Sequence, residues 1–185
     1  MGRAAFQFCN RLTTASFPKC TTIGSYAFNG CSSLNTVSFP VCTLVSDDAF
    51  YGGYSLYSVN FPACISIGKE AFRNCWFLFR TSFPACVSIG SSAFASCMSL
   101  GAASFPSCTT IGNGAFSGCR ALVSLYLVGS SVCSLGGSSV FYSTPIGGYT
   151  TYTGKYGSVY VPSSLYAAYI SSTYWSLISS RIVSM

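Results

Sequence analysis

The stretch LNTVSFPVCTLVSDDAFYGGYS, residues 34–55, recurs along the chain with a period of 22 residues. LTTASFPKCTTIGSYAFNGCSS precedes it from Leu12, and further copies open at Leu56, Leu78 and Leu100. A sixth opens at Leu122 and loses its register after Leu127. One copy cannot bury its own Leu, Phe and Ile, whereas stacked copies share a continuous core, so this periodicity dictates a solenoid. MGRAAFQFCNR reads as the second half of another copy, because Gly2, Ala5, Phe6 and Cys9 align with Gly24, Ala27, Phe28 and Cys31. The expectation is a piece of a longer chain that opens inside a coil, so a missing signal peptide says nothing about compartment.

Each copy has two halves. The first, L-x-x-[small or β-branched]-x-F-P, alternates with period two, as a half-buried strand does. Leu34, Val37 and Phe39 point inward, and Pro40, with no N–H to donate, closes the strand. Strands met once per coil pair in parallel. The second half, C-x-x-[IV]-[GS]-x-x-A-F-x-x-C, is read as a turn at Gly68 or Gly90 followed by a short helical or 3-10 turn around Ala71 and Phe72.

The motif L-x-x-x-x-[FL]-P-x-x-x-x-x-I-G-x-x-A-F-x-x-C-x-x-L resembles the BspA-like class of leucine-rich repeat over residues 2 to 127. That class occurs in bacterial surface proteins and in some protist and phage-associated proteins. The resemblance implies a curved right-handed solenoid used for adhesion or recognition, and it names no ligand. Two features depart from it: Cys replaces the usual aliphatic residue in FP-x-Cys, and no N-terminal cap is present. Residues 128–185 read as a degenerate last coil, Tyr/Ser/Gly-rich loops and a strand-plus-helix cap. GSVYVP supplies the strand, and SSLYAAYISSTYWSLISSRI the helix, with Ser163 or Ser164 as N-cap and Leu165 and Tyr169 on one face. Trp175, Ile178 and Ile182 are expected to close the last coil. Tails of this form are similar to those of repeat proteins from gut bacteria and their phages.

Composition removes whole classes of function. Only 6% of residues are charged, three are acidic and none is His, which strips out most acid–base and metal-ligand chemistry. No catalytic residue, metal or cofactor is expected. Nine basic residues lie scattered from Arg3 to Arg181, without the cluster a nucleic-acid partner requires. No run approaches the ~18 apolar residues of a spanning helix, so membrane insertion is not expected.

Ten cysteines, from Cys9 to Cys119, keep a spacing of 11, with Gly53 filling the one gap and Cys133 alone off it. They read as two ladders of small core residues; parallel side chains aim the same way, which disfavours disulfides between stacked neighbours. A disulfide framework and a metal ladder remain the alternatives. Asp48 and Glu70 stand 22 residues apart, and so on adjacent coils. Two carboxylates ~5 Å apart would suit a retaining glycosidase, but a solvated ion network with Asp47, Lys69 and Arg73 is the plainer reading.

Function is sought in what varies between copies. The outward strand positions are mostly small and polar, except for Tyr57, Phe79 and Arg80, which stand beside Gly101 and Ala102. Tyr54, Trp76 and Phe77 extend this aromatic group around the strand entry. Clustered exposed aromatics with Arg mark an interface, against the plainer reading of packing on a neighbouring segment. A second candidate surface is Tyr142, Tyr149, Tyr152, Tyr156, Tyr166 and Tyr174 among Ser, Thr and Gly, weighed equally with a plain capping loop. The expected function is non-enzymatic adhesion to a protein or glycan on a cell surface, with the protein extracellular, surface-bound or in a virion. The alternative is a self-assembling filament or phage component, joined through solenoid ends that expose Phe6, Phe17 and Cys9.

Overall fold

In a computed structural model, which describes residues 1–147 and 156–185, the chain winds into about seven coils of parallel strands. The front strands are Thr14–Ser16, Thr36–Ser38, Ser58–Asn60, Arg80–Ser82, Ala102–Ser104 and Ser124–Tyr126. Ala15 faces Val37, and Val59 faces Thr81, so the 22-residue period is also the pairing register. Inward Val37, Val59 and Ala103 are buried while their neighbours are exposed or half-exposed, which is the alternation expected of a half-buried strand.

A second sheet gives no sign of itself in the sequence. Two-residue strands at Thr22–Ile23, Leu44–Val45, Ser66–Ile67, Ser88–Ile89, Thr110–Ile111 and Ser134–Leu135 stack into a six-stranded parallel ladder just ahead of the expected turn. Two residues are too few for alternation to show. The glycines that follow are dictated by close approach: a Cβ on Gly90 would lie 2.5 Å from the Gly68 carbonyl carbon.

The expected short helical turn takes the form of consecutive i→i−3 turns that also bond to the next coil. Phe28 N donates to Ala49 O at 2.7 Å, and Phe50 N to Ala71 O at 2.7 Å, whereas Ala27 N and Cys31 N donate within their own coil. Alternate amides therefore point along the solenoid, where a helix would keep them all internal. The backbone achieves this by entering the left-handed region twice per coil. The first entry falls at Tyr26, Asp48, Glu70 and Ser92 and the second at Gly30, Gly52, Asn74 and Ser96. Non-glycine residues hold such φ values at a cost of about 1 kcal/mol each, offset by the bonds gained.

Two aromatic columns run up the core. Phe28, Phe50, Phe72, Phe94 and Phe116 stack nearly parallel, from 5.1 Å and 4° at one end to 5.5 Å and 3° at the other. Phe39, Phe61, Phe83 and Phe105 form the second column, and the two meet edge-on, as Phe50 meets Phe61 at 61°. Offset stacks and edge contacts are the favoured aromatic geometries, so each arrangement supports the other. Past Leu127 the coil is lengthened rather than lost: Phe141 stacks on Phe116 at 6.0 Å.

From Cys31 onward the cysteines are core residues with a polar task, whereas Cys9 is exposed and Cys20 half-buried. All eleven are free. Cys42, Cys64 and Cys86 donate their S–H to the carbonyl two residues on, at 3.2–3.3 Å. Cys75, Cys97 and Cys119 reach the Phe50, Phe72 and Phe94 carbonyls of the preceding coil at 3.0–3.2 Å. Each of those carbonyls also takes an amide of its own coil, so both lone pairs are used. This accounts for Cys where an aliphatic residue would serve for packing alone. Burial pushes the Cys64 and Cys75 thiols up to about 12, which keeps them protonated.

The cap differs from the expected single helix. Strand Ser158–Val161 pairs with Ser124–Tyr126 and with Ile182–Ser184, extending the front sheet. Between them lie a 3-10 turn at Ser163–Leu165, an α-helix of six residues at Tyr166–Ser171 and a 3-10 segment at Trp175–Arg181. Pro162, not Ser163 or Ser164, precedes the first turn, and no side chain caps it. Ser171 and Ser172 turn their hydroxyls back onto the Ala167 and Ala168 carbonyls, and Tyr174 adopts φ 66°, which breaks the helix. Tyr169, Trp175 and Ile182 are buried as expected, while Leu165 and Ile178 pack partly buried on the core.

Asp48 and Glu70 sit at equivalent left-handed positions of adjacent coils. Glu70 pairs with Arg73 at 3.0 Å and Lys69 at 3.6 Å, which is part of the ion network expected; Asp47 instead accepts the Lys69 backbone amide at 2.7 Å. Burial first, then the Glu70 charge, raises the Asp48 carboxyl above its ordinary 3.8.

This packing can be tested at two positions. Phe28 O takes only the Cys31 amide because Gly53 stands where the next thiol would be, so Gly53→Cys should fold normally and gain about 1 kcal/mol in denaturant titration. A raised carboxylate pKa means the folded state binds more protons, so stability falls as pH rises from 3.8 through the folded value. Asp48→Asn, which tolerates the left-handed backbone, should therefore melt higher than wild type at pH 7, and the difference should vanish below pH 3.8.

Candidate functional site

The front face carries one column in which residue size changes abruptly. Tyr57, Phe79, Gly101 and Val123 occupy the same position of successive coils. Tyr57 and Phe79, 49% and 45% exposed, stack at 5.8 Å and 17°. A stack made outside the core leaves the far face of one ring uncovered. Beside Phe79 the column drops to Gly101, where a Cβ would approach nothing closer than the Ala121 carbonyl at 3.9 Å.

This step opens a hollow of about 660 Å³, walled by Phe79 and Arg80 on one side and by Gly101, Ala102 and Val123 on the other. The front sheet is interrupted beneath it. Strands run Thr14–Ser16 to Arg80–Ser82 in one four-stranded sheet, and a separate sheet begins at Ala102–Ser104. Between Arg80–Ser82 and Ala102–Ser104 no ladder forms, so two strand edges with free backbone donors and acceptors face each other across a seam. Small side chains and a glycine on the Ala102 side weaken that strand. Thr81 adds to the polarity. It stands at the inward position held elsewhere by Ala15, Val37, Val59, Ala103 and Leu125, and its Oγ1 is buried without a hydrogen-bond partner.

Arg80 supplies the charge. Its guanidinium lies 5.9 Å from the Phe79 ring centre, and among the described residues no carboxylate lies within salt-bridge distance of it. The site thus combines an aromatic face, an unneutralised cation and unpaired backbone groups around a hollow the size of a small ligand.

Of the six residues singled out from sequence, Phe79 and Arg80 line the hollow and Tyr57 backs Phe79. Tyr54 and Trp76 form a separate stack at the strand entry, 4.4 Å apart. Phe77 is 61% exposed and its ring joins neither stack. Neither Thr81 nor the seam is among the expectations drawn from sequence. The available signal is Thr81 itself, the one hydroxyl in an apolar series.

In the tail, Tyr149 and Tyr152 lie outside the described residues. Tyr166 packs partly buried on the core, while Tyr142 and Tyr156 are half-exposed and Arg181 lies 3.7 Å over the Tyr156 ring. At the other end, Phe6 and Phe17 continue the two aromatic columns.

Comparison with known proteins agrees with this architecture. The BspA type leucine-rich repeat region matches in six copies over residues 1–123. A search of curated proteins found no match. The leucine-rich repeat protein of T. pallidum superposes with a TM-score of 0.72 at 29% identity, covering 85% of this chain and 78% of that one. A leucine-rich repeat protein from Bacteroides ovatus gives 0.64 at 26% identity, covering 88% of this chain, which spans about half (52%) of its length. With coils, register and inward residues all agreeing, the chain belongs to the BspA-type leucine-rich repeat family.

Proposed function

We propose that the chain is a non-enzymatic recognition module that binds a ligand on a cell surface through its front sheet, with the hollow beside Phe79 as the contact. The observation that carries this reading is the hollow itself, placed where the sheet is interrupted and flanked by an exposed aromatic stack and an unneutralised Arg80. Repetition alone would produce a uniform face of small polar residues. Departure from it at one level concentrates aromatic surface, charge and free backbone groups in one place.

Of the two ligand classes, glycan is favoured over protein. The hollow, about 660 Å³, has room for a sugar, and the Phe79 ring offers a flat face to the C–H side of a pyranose. Arg80 and the strand edges are donors and acceptors for hydroxyls. A protein ligand would use the same hollow for a single anchoring side chain, with Tyr54, Trp76 and Phe77 at its edge. The solenoid supplies rigidity, so little ordering is needed on binding.

Two variants test the reading on glycan and matrix-protein arrays. Tyr57→Ala with Phe79→Ala should weaken capture at least about 30-fold, the loss of a hot spot, without lowering the melting temperature substantially. Gly101→Phe fills the hollow from a position with open space above it, and should abolish capture while leaving the fold intact. Unchanged capture by both variants would rule this face out. Capture of proteins alone would replace the glycan assignment.

A further inference from the structure

Cys133 is the one cysteine off the 11-residue spacing. The register shows what that displacement does. Thr110 faces Ser134 across the paired strands, so the position opposite Cys108 is 132, held by Val132. Cys133 is one residue out of step, and the parallel alignment that keeps stacked cysteines aimed the same way does not apply to it. Its Sγ lies 3.7 Å from Cys108 Sγ. The nearest carbonyl to it, Ser134 O, is farther away at 3.9 Å, whereas the regular thiols reach carbonyls at 3.0–3.3 Å. Cys133 therefore gives its proton to a sulfur where the regular thiols from Cys20 to Cys119 give theirs to oxygen.

The backbone on either side is fixed. Cys133 N donates to Tyr169 Oη at 3.0 Å, and Cys133 O accepts Trp175 Nε1 at 2.6 Å, so the cap grips this residue at both its polar groups. Closing 3.7 Å to the ~2.05 Å of an S–S bond is within reach of side-chain rotation. A hollow of about 360 Å³, lined by Cys133, Ser134, Ser171, Thr173 and Trp175, brings a small oxidant up to the Cys133 side of the pair. Hydrogen bonding from Cys133 draws the Cys108 thiol below its ordinary value, so of the two sulfurs it gives up its proton the more readily.

We propose that Cys108 and Cys133 form a disulfide site that covalently fastens the last coil, and the cap resting on it, to the regular solenoid. In exchange with a small disulfide such as oxidised glutathione, one thiolate attacks a glutathione sulfur and releases one glutathione thiolate. The second cysteine, deprotonated, then displaces the other glutathione. The two cysteines lose two protons and two electrons in total, and the oxidant leaves as two thiols. Cys108 is itself a ladder cysteine and gives up its 3.3 Å bond to the Thr110 carbonyl in forming the link, while the other ladder cysteines keep theirs.

The test is to refold the chain from denaturant in a glutathione redox buffer, block free thiols and map tryptic peptides. Cleavage after Arg80, Arg120 and Lys155 puts Cys108 in peptide 81–120 and Cys133 alone in 121–155. The expected result is these two peptides joined, with the link absent in Cys133→Ser and in Cys108→Ser. The oxidised wild type should melt about 5–10 °C above its reduced form, a difference missing in either variant. Peptide 121–155 found unlinked, or still linked to 81–120 in Cys108→Ser, would overturn the site. Because peptide 81–120 also holds Cys86, Cys97 and Cys119, fragmentation of the joined wild-type peptides is used to place the link at Cys108, so the outcome stands even where a variant folds poorly.

Discussion

Everything in this molecule depends on the coil-to-coil contact, in which each repeat presents to the next the same rings, amides and thiols at the same height. Phe columns stack at a little over 5 Å, close to the spacing of parallel strands, so aromatic packing and backbone pairing share one pitch. The left-handed residues turn alternate amides along the axis, and Cys thiols take up the second lone pair of the Phe carbonyls. Backbone amides outside the strands are satisfied alternately within their own coil and by the adjacent one. The interior can therefore be almost wholly apolar with few charges anywhere.

Against that regularity the candidate site is a local defect of three coils. Tyr57 and Phe79 build up one position, Gly101 removes it, and Thr81 brings a hydroxyl to the inward face. The regular array on both sides frames the defect, each flank keeping its own stacking. Recognition surfaces in solenoids arise in this way: the scaffold is common to all copies, and a few side chains differ.

Much of this is legible in the residues alone. The 22-residue period, the inward Leu, Val and Phe, the buried cysteine ladders and the exposed Tyr57 and Phe79 all follow from periodicity and residue type. Several features do not. The two-residue strands such as Ser66–Ile67 are shorter than any pattern that could announce them. Alternating amide donation leaves no trace in side chains, because Asp48, Glu70 and Ser92 give no sign that they hold positive φ. The cap helix reads as continuous because Ser171 and Ser172 suit helix or break alike, and their hydroxyl bonds decide it. Lengthening after Leu127 hides Phe141, whose place in the column depends on space rather than spacing. The seam depends on pairing between coils, which no single repeat encodes.

That seam also bears on mechanics. At the other interfaces along the regular coils, backbone bonds run through the front sheet, the side sheet and the turn ladder. Between the coils bearing Arg80 and Ala102 the front set is absent, while Ser88 still pairs with Thr110 and Phe94 N still bonds Ala115 O. A rod fastened on two sides and open on the third bends about the fastened sides. Compliance is thus gathered at one level of an otherwise stiff rod, and a bending load there widens or narrows the mouth of the hollow, coupling its aperture to force along the molecule.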